Sequence, residues 1–174
     1  MKINVLRYGH RHVRDFRVTS HCCLVARAFG VEKIEIIGEK DTKIIETLTS
    51  INEKWGDTCK IEFFENWKER LKFYKKLGFT IIHLTMYGIP IQEIEKEIKT
   101  KKNILVIIGS QKVEREVYEM SDYNISITTQ PHSEIAALAV FLDRVQEGKE
   151  LTKQFNGKIK IIPTPKGKKI LKKT

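Results

Sequence analysis

Short runs rich in β-branched residues alternate with helical patterns along almost the whole chain. These runs predict strands at 3–8, 33–38, 59–65, 80–88, 103–109 and 124–129. The intervening segments predict helices near 19–29, 41–55, 66–77, 90–101, 112–121 and 133–147. Such alternation is typical of strands joined by crossover helices onto a mostly parallel sheet. We therefore expect an α/β fold with helices on both faces of the sheet.

The chain length predicts one main domain with an extension. At 174 residues the chain is long enough to bury a hydrophobic core, and we assign residues 1–150 to the α/β domain. Residues 151–174 form a basic extension in which 158–162 could add an edge strand. Pro163 and Pro165 then end regular structure, which predicts a flexible, lysine-rich tail.

Basic residues are concentrated near both ends of the chain. The formal net charge is +10, from 32 Lys and Arg residues against 22 Asp and Glu. Residues 151–174 hold eight lysines and no acid, and four of the eight arginines lie within 7–17. These zones indicate a polyanionic partner, with nucleic acid the first candidate. A heat-adapted, lysine-rich surface is the alternative, but arginine is the residue suited to forked phosphate contacts.

The sequence does not indicate a membrane protein or a secreted protein. No uncharged apolar run approaches the roughly 18 residues that a membrane span requires. The first residues also lack the apolar stretch of a signal peptide. Cys22, Cys23 and Cys59 suggest neither a disulfide framework nor a metal-binding pair. We therefore expect a soluble protein of the cytoplasm.

A zinc site is the alternative for the histidines and cysteines near the N-terminus. None of their pairs has the spacing of a zinc site, and adjacent cysteines in an apolar helix usually belong to a core. We therefore expect no bound metal at His10, His12, His21, Cys22 and Cys23.

Three loops after the last predicted strands have the composition of a ligand site. They read LTMYGIP (84–90), IGSQKV (108–113) and TTQPHSE (128–134), with few charges and several glycine, proline and small polar residues. Parallel sheets bind ligands beyond the carboxyl ends of their strands. The first strand carries no G-x-G-x-x-G turn, and the chain has no phosphate-binding P-loop. The loops therefore predict a pocket for a largely uncharged molecule of adenosine size.

Arg27 is the only full charge between Val18 and Val31, in a helical stretch that Thr19 or Ser20 could cap. Such an arginine either extends to solvent or anchors a phosphate or oxyanion. His132 could serve as a base, although no nucleophile pattern accompanies it, and loop architecture is the plainer interpretation.

Four segments together closely resemble one family. They read LRYGHRHVRDFRVTSHCCLVARAFG (6–30), HLTMYG (83–88), IGSQKV (108–113) and NISITTQPHSEIAALAVFLDR (124–144). They resemble the archaeal tRNA (cytidine(56)-2'-O)-methyltransferase family, a branch of the SPOUT superfamily of knotted methyltransferases. The resemblance implies a C-terminal deep trefoil knot that holds S-adenosylmethionine. It also implies methyl transfer to the ribose 2'-oxygen of cytidine 56 in the T-loop of tRNA, by a homodimer.

The resemblance also implies site residues. It assigns cofactor contacts to Leu84, Gly109, Ser110, Gln111, Lys112, Val113, Ile127, Thr128, Thr129, Gln130, Pro131, His132, Ser133 and Glu134. It makes Arg27 the catalytic residue, and we prefer an electrostatic role because deprotonating a guanidinium is costly. We assign RNA backbone contacts to Arg7, Arg11, Arg14 and Arg17, supported by the lysine tail.

Two asparagines of the wider family are replaced, by His21 and Ile135, so the acceptor of the 2'-hydroxyl proton stays open.

Two other functions compete with the methyltransferase. A catalytically inactive RNA-binding protein of the same fold would keep the basic patches without cofactor affinity. A flavodoxin-like, nucleotide-handling enzyme would need a phosphate-binding turn after the first strand, and this sequence has none.

Overall fold

A computed structural model describes residues 1–56, 59–109 and 112–173. The main strands are β1 (Lys2–His10), β2 (Lys33–Gly38), β3 (Lys60–Phe64), β4 (Thr80–Pro90), β5 (Asn103–Gly109) and β6 (Tyr123–Ser126). The helices are α1 (His12–Ala28), α2 (Thr42–Trp55), α3 (Trp67–Lys76), α4 (Ile91–Ile98), α5 (Arg115–Met120) and α6 (Glu134–Gln146). A short 3-10 helix (Lys149–Thr152) and two further strands, β7 (Ile159–Ile162) and β8 (Lys169–Lys172), follow.

The main strands form one parallel sheet in the order β3-β2-β1-β5-β4-β6. The predicted fold class is confirmed. Helices cover both faces, because strands buried on both sides need apolar layers above and below. One core joins the sheet to α1, α2, α4 and α6, and the other joins it to α3 and α5. Side chains alternate between these cores along β1, where Val5 belongs to the first and Leu6 to the second.

Helix α1 begins well before the predicted residue 19, at His12. Residues 11–17 were noted for their basic charge and placed in no predicted helix, but the ion pair between Arg11 and Asp15 at 2.9 Å supports a helical first turn. Thr19 and Ser20, the predicted caps, are therefore buried inside the helix. The remaining predicted helices agree with the structure to within a few residues at each end.

The end of β4 crosses β6 at very close range. Ile125 is in register with both Leu84 and Ile89, so the residues between these two bulge out of the pairing with β6. A Cβ on Gly88 would lie 2.5 Å from the backbone of Asn124 and Ile125. Only glycine permits such an approach. A threaded chain requires a crossing of this kind, and the trefoil knot itself stays a prediction.

The C-terminal extension differs from the prediction. Strand β7 does not join the edge of the main sheet, because it pairs antiparallel with β8 in a separate hairpin. The lysine-rich end therefore forms a strand as far as Lys172. The two prolines lie in the turn between β7 and β8 and do not end regular structure. The backbones of Gly56 and Gly157 meet so closely that a Cβ on Gly157 would lie 2.2 Å from the carbonyl carbon of Trp55. This contact joins the extension to the end of α2.

Candidate functional site

A cavity of about 690 Å³ lies at the carboxyl ends of β4, β5 and β6. The three predicted loops and the first turn of α6 form its walls. Its lining residues are His83, Leu84, Thr85, Met86, Tyr87, Ile108, Gly109, Lys112, Val113, Arg115, Tyr118, Ile127, Pro131, His132, Glu134 and Ala137. The volume and the mostly apolar lining fit a molecule the size of an adenosine derivative.

Most of the residues predicted to contact a cofactor meet in this cavity. Those that line it are Leu84, Gly109, Lys112, Val113, Ile127, Pro131, His132 and Glu134. Thr128, Thr129, Gln130 and Ser133 belong to the same loop without lining the cavity. Ser133 has a local role, because its Oγ accepts a hydrogen bond from the Ile135 amide at 3.1 Å and caps α6. The predicted contacts at Ser110 and Gln111 fall outside the described residues.

Glu134 connects the cavity to a buried charge. One of its oxygens lies 3.2 Å from Nη2 of Arg7, and the Arg7 side chain is completely buried. The predicted RNA contact of Arg7 is therefore wrong, because the guanidinium does not reach the surface. Arg7 shares the inner face of β1 with Ile3 and Val5, as the two-residue period of a strand requires. The ion pair fixes a carboxylate in the cavity wall.

The opposite wall contains His83, which the sequence analysis missed. Asn124 donates from Nδ2 to the Tyr118 carbonyl at 3.0 Å, so its Oδ1 accepts a hydrogen bond from His83 Nδ1 at 3.0 Å. The ring of Tyr118 packs edge-on against His83, with centroids 4.6 Å apart. Burial lowers the pKa of His83, and its imidazole is therefore neutral. A histidine inside the apolar run TIIHLT was the available signal.

Arg27 lies near the amino-terminal ends of the strands, at the end of the sheet opposite to the cavity. Helix α1 starts at the carboxyl end of β1, and 15 residues separate His12 from Arg27, which is about 22 Å along the helix axis. Arg27 donates to the Asn52 side chain at 2.7 Å and to the Gly56 carbonyl, and its guanidinium packs on the ring of Phe155 at 5.4 Å. Arg27 therefore does not reach the cavity of its own chain, and the alternative that one chain supplies the cofactor site and the other the arginines stays a prediction. The residue joins α1 to the α2 end and the C-terminal extension.

Arg27→Ala should lower the free energy of unfolding by about 2 kcal/mol, because hydrogen bonds from a charged group are lost in a buried place. The C-terminal extension should become more sensitive to proteolysis, since Phe155 loses the guanidinium that packs on its ring and keeps only Lys153 beside it. Methyl transfer to RNA should persist, because the cavity is untouched. Arg144→Ala, which removes an exposed arginine, is the matched control. Loss of catalysis with unchanged thermal stability would contradict this structural role.

Of the remaining predicted RNA-binding arginines, Arg11 is the N-cap residue of α1, and Arg14 and Arg17 lie on its first turns. Arg14 and Arg17 are exposed, whereas Arg11 is partly held by its ion pair with Asp15. Two of the three histidines of the zinc alternative instead approach Asp41, His10 at 3.6 Å and His12 at 3.3 Å. Within the described ranges, no group of three His, Cys, Asp or Glu side chains is arranged to hold a metal ion.

The neighbouring cysteines belong to the core. Both are buried, and burial raises the pKa of the Cys22 thiol to about 12. Thiols in such a place behave as small apolar side chains. Among the described residues, the structure contains no helix that is long and apolar enough to cross a membrane.

A parallel sheet with a loop-walled cavity at one edge is the architecture of SpoU-type RNA methyltransferases. The Aquifex enzyme titled TrmH/SpoU tRNA modifying enzyme (A. aeolicus) superposes with a TM-score of 0.64 over 86% of this chain and 76% of its own, at 21% identity. An AdoMet-bound rRNA methyltransferase from Sinorhizobium meliloti gives 0.67 over 85% and 57%, at 15% identity. These likenesses establish the fold.

The sequence establishes the family. Residues 55–171 match the family described as tRNA ribose 2'-O-methyltransferase, aTrm56. The tRNA (cytidine(56)-2'-O)-methyltransferase of Thermococcus kodakarensis is 50% identical over 97% of this chain and 96% of its own length. The protein of the same name from Methanopyrus kandleri is 47% identical over 95% and 94%. The chain belongs to this family of tRNA ribose methyltransferases, as the sequence analysis predicted.

Proposed function

We propose that the chain transfers a methyl group from S-adenosylmethionine to the ribose 2'-oxygen of cytidine 56 in tRNA. The observation that carries this proposal is the cavity. Eight residues assigned to cofactor contacts by family resemblance line one space, at the carboxyl edge where parallel sheets bind ligands. Relatives bearing this activity in their names match the chain over nearly its full length.

The residues present fit this cofactor. S-adenosylmethionine supplies an activated methyl group on a positively charged sulfur. The Glu134 carboxylate, fixed by Arg7, provides negative charge on the wall that would face this cation. The other wall, with His83 and Tyr118, is neutral and suits a flat base. The loops contribute mainly by holding two reactants in line, since alignment can supply a large part of the rate enhancement.

We also propose that two copies of the chain associate through α1 and α6. These helices pack side by side, and apolar residues on both of them are exposed. Val13 is 93% exposed and Val140 is 40% exposed, and Ala136 on α6 is also exposed. Burial of such residues favours association. Arg14 and Arg17 would then lie near the second cavity, where an RNA backbone has to pass.

Transfer of labelled methyl groups into tRNA transcripts tests the proposed activity. An unmodified transcript should incorporate about one methyl group per molecule, whereas a transcript with 2'-deoxycytidine at position 56 should incorporate none, because the accepting oxygen is missing. Equal labelling of the two RNAs would contradict ribose methylation. Tight cofactor binding without transfer to either RNA would favour the inactive RNA-binding alternative.

The lysines of the C-terminal hairpin should contribute to tRNA binding. Replacing Lys168 and Lys169 with glutamine should weaken binding and reduce the slope of log affinity against log salt by about 0.9 for each phosphate that is no longer neutralised. Lys72→Gln with Lys76→Gln, on the exposed side of α3, is the matched control with the same change of charge. Filter binding at several salt concentrations measures both slopes. Identical slopes would exclude the hairpin from the RNA interface.

A further inference from the structure

The proposed reaction releases a proton from the ribose hydroxyl, and Arg27 of the same chain is too far away to influence it. The cavity wall contains few groups that can accept this proton. Lys112 and Arg115 are cationic donors without a free lone pair. Glu134 is engaged by Arg7 at 3.2 Å, and His83 is only 1% exposed, with its ring packed against Tyr118, so it cannot pass a proton on to solvent. His132 is the remaining imidazole that lines the cavity.

The hydrogen bond of His132 defines which of its nitrogens is available. Nδ1 lies 2.6 Å from the carbonyl oxygen of Gln130. A carbonyl can only accept a hydrogen bond, so Nδ1 carries the hydrogen and the neutral ring has its lone pair on Nε2. The side chain is exposed at the mouth of the cavity. The loop therefore presents an oriented imidazole base beside the place where a ribose would enter.

We propose that His132 is a catalytic residue that accepts the 2'-hydroxyl proton, an inference that rests on the proposed function. As the bond between the ribose oxygen and the methyl carbon forms, the bond between that carbon and sulfur breaks, and its electron pair stays on sulfur as a neutral thioether. The hydroxyl proton moves to Nε2 of His132. The imidazolium returns this proton to water after the products leave. The Gln130 carbonyl stabilises the positive ring through the Nδ1 hydrogen bond.

The test compares two substitutions of this residue in single-turnover methyl transfer. His132→Ala removes both ring nitrogens, whereas His132→Asn retains an amide that can donate to the Gln130 carbonyl but cannot accept a proton at neutral pH. Both variants should be slower than wild type by about 10² to 10⁴. The rates are measured at saturating S-adenosylmethionine and tRNA, because His132 also lines the cofactor cavity and a change in affinity must not enter the comparison. Free imidazole should restore part of the rate of His132→Ala.

A rate near wild type in His132→Asn, with a slow His132→Ala, would show that the residue only orders the loop. Rates near wild type in both variants would exclude His132 as the base. If His132→Ala does not fold, the asparagine variant alone decides between these outcomes. His12→Asn, a substitution of another exposed histidine at the same sheet edge, should leave the rate near wild type. If the wild-type protein transfers no methyl group to tRNA, the proposed function itself is refuted. That result is distinct from a change in the rates of the His132 variants relative to wild type.

Discussion

Replacing Gly88 with alanine should cost about 3 kcal/mol of unfolding free energy and greatly weaken cofactor binding. The new Cβ would lie 2.5 Å from backbone atoms of Asn124 and Ile125, which cannot move aside as a flexible side chain would. The strain is relieved only if the end of β4 separates from β6. Because both segments lead into cavity loops, the cavity should open at the same time. Chemical denaturation and titration with S-adenosylhomocysteine measure the two effects.

Gly78→Ala is the matched control for Gly88→Ala. Gly78 has a left-handed backbone (φ +74°), and a Cβ there meets nothing within 4 Å. Its substitution should cost about 1 kcal/mol through backbone strain alone and leave cofactor affinity unchanged. If Gly88→Ala proves no more destabilising than Gly78→Ala, the close crossing of β4 and β6 is not a feature of the folded protein.

The ion pair between Arg7 and Glu134 should give the second large effect. Glu134→Ala should lower the unfolding free energy by about 3 kcal/mol, because it leaves a completely buried guanidinium without its partner. Nε of Arg7 already makes no hydrogen bond within the described part of the chain, so little remains to compensate the charge. Denaturant titrations of the variant and the wild type measure this loss.

Combining Arg7→Met with Glu134→Ala should recover most of the stability, since no buried charge then remains without a partner. Arg7→Met alone should cost less than Glu134→Ala, because the glutamate is 28% exposed and can be hydrated. Cofactor affinity should fall both in Glu134→Ala and in the double variant. Because the double variant regains stability, its low affinity would show that binding and stability are separate effects. Simple additivity of the two stability losses would contradict the coupling.

The sequence was sufficient to predict the sheet, the helices on both faces and the loops that form the cavity. Strand and helix periodicities report which side of an element is apolar, and the loop composition predicted the pocket, whereas the family was identified by the resemblance of four sequence segments. The edge of the sheet where ligands bind also follows from chain direction alone.

The predicted positions of two arginines, Arg27 and Arg7, differ from the structure because the sequence pattern does not show their partners. Arg27 was assigned to the site by family resemblance and as the only charge in an apolar helical stretch, whereas it lies at the end of α1 far from the cavity and pairs with Asn52 and Gly56. Arg7 was treated as part of a basic surface cluster. Its alternation with Val5 and Ile3 did indicate an inner position, but a buried arginine is acceptable only beside a partner distant in sequence, here Glu134.

Long-range contacts of the backbone were not predictable. The crossing at Gly88 and the approach of Gly56 to Gly157 join segments far apart in the chain, and a glycine in a sequence does not reveal which backbone it allows to approach. The C-terminal hairpin was missed for a related reason. Two four-residue strands separated by prolines have too little pattern to distinguish an edge strand from a separate hairpin.

A crystal structure of the protein with bound S-adenosylhomocysteine tests the central claim most directly. The account predicts the ligand in the cavity between the ends of β4, β5 and β6, in contact with Leu84, Gly109 and the loop before α6. Its sulfur should point toward the cavity mouth, where an RNA ribose can approach. A ligand bound at another surface, or an empty cavity at saturating ligand, would contradict the account.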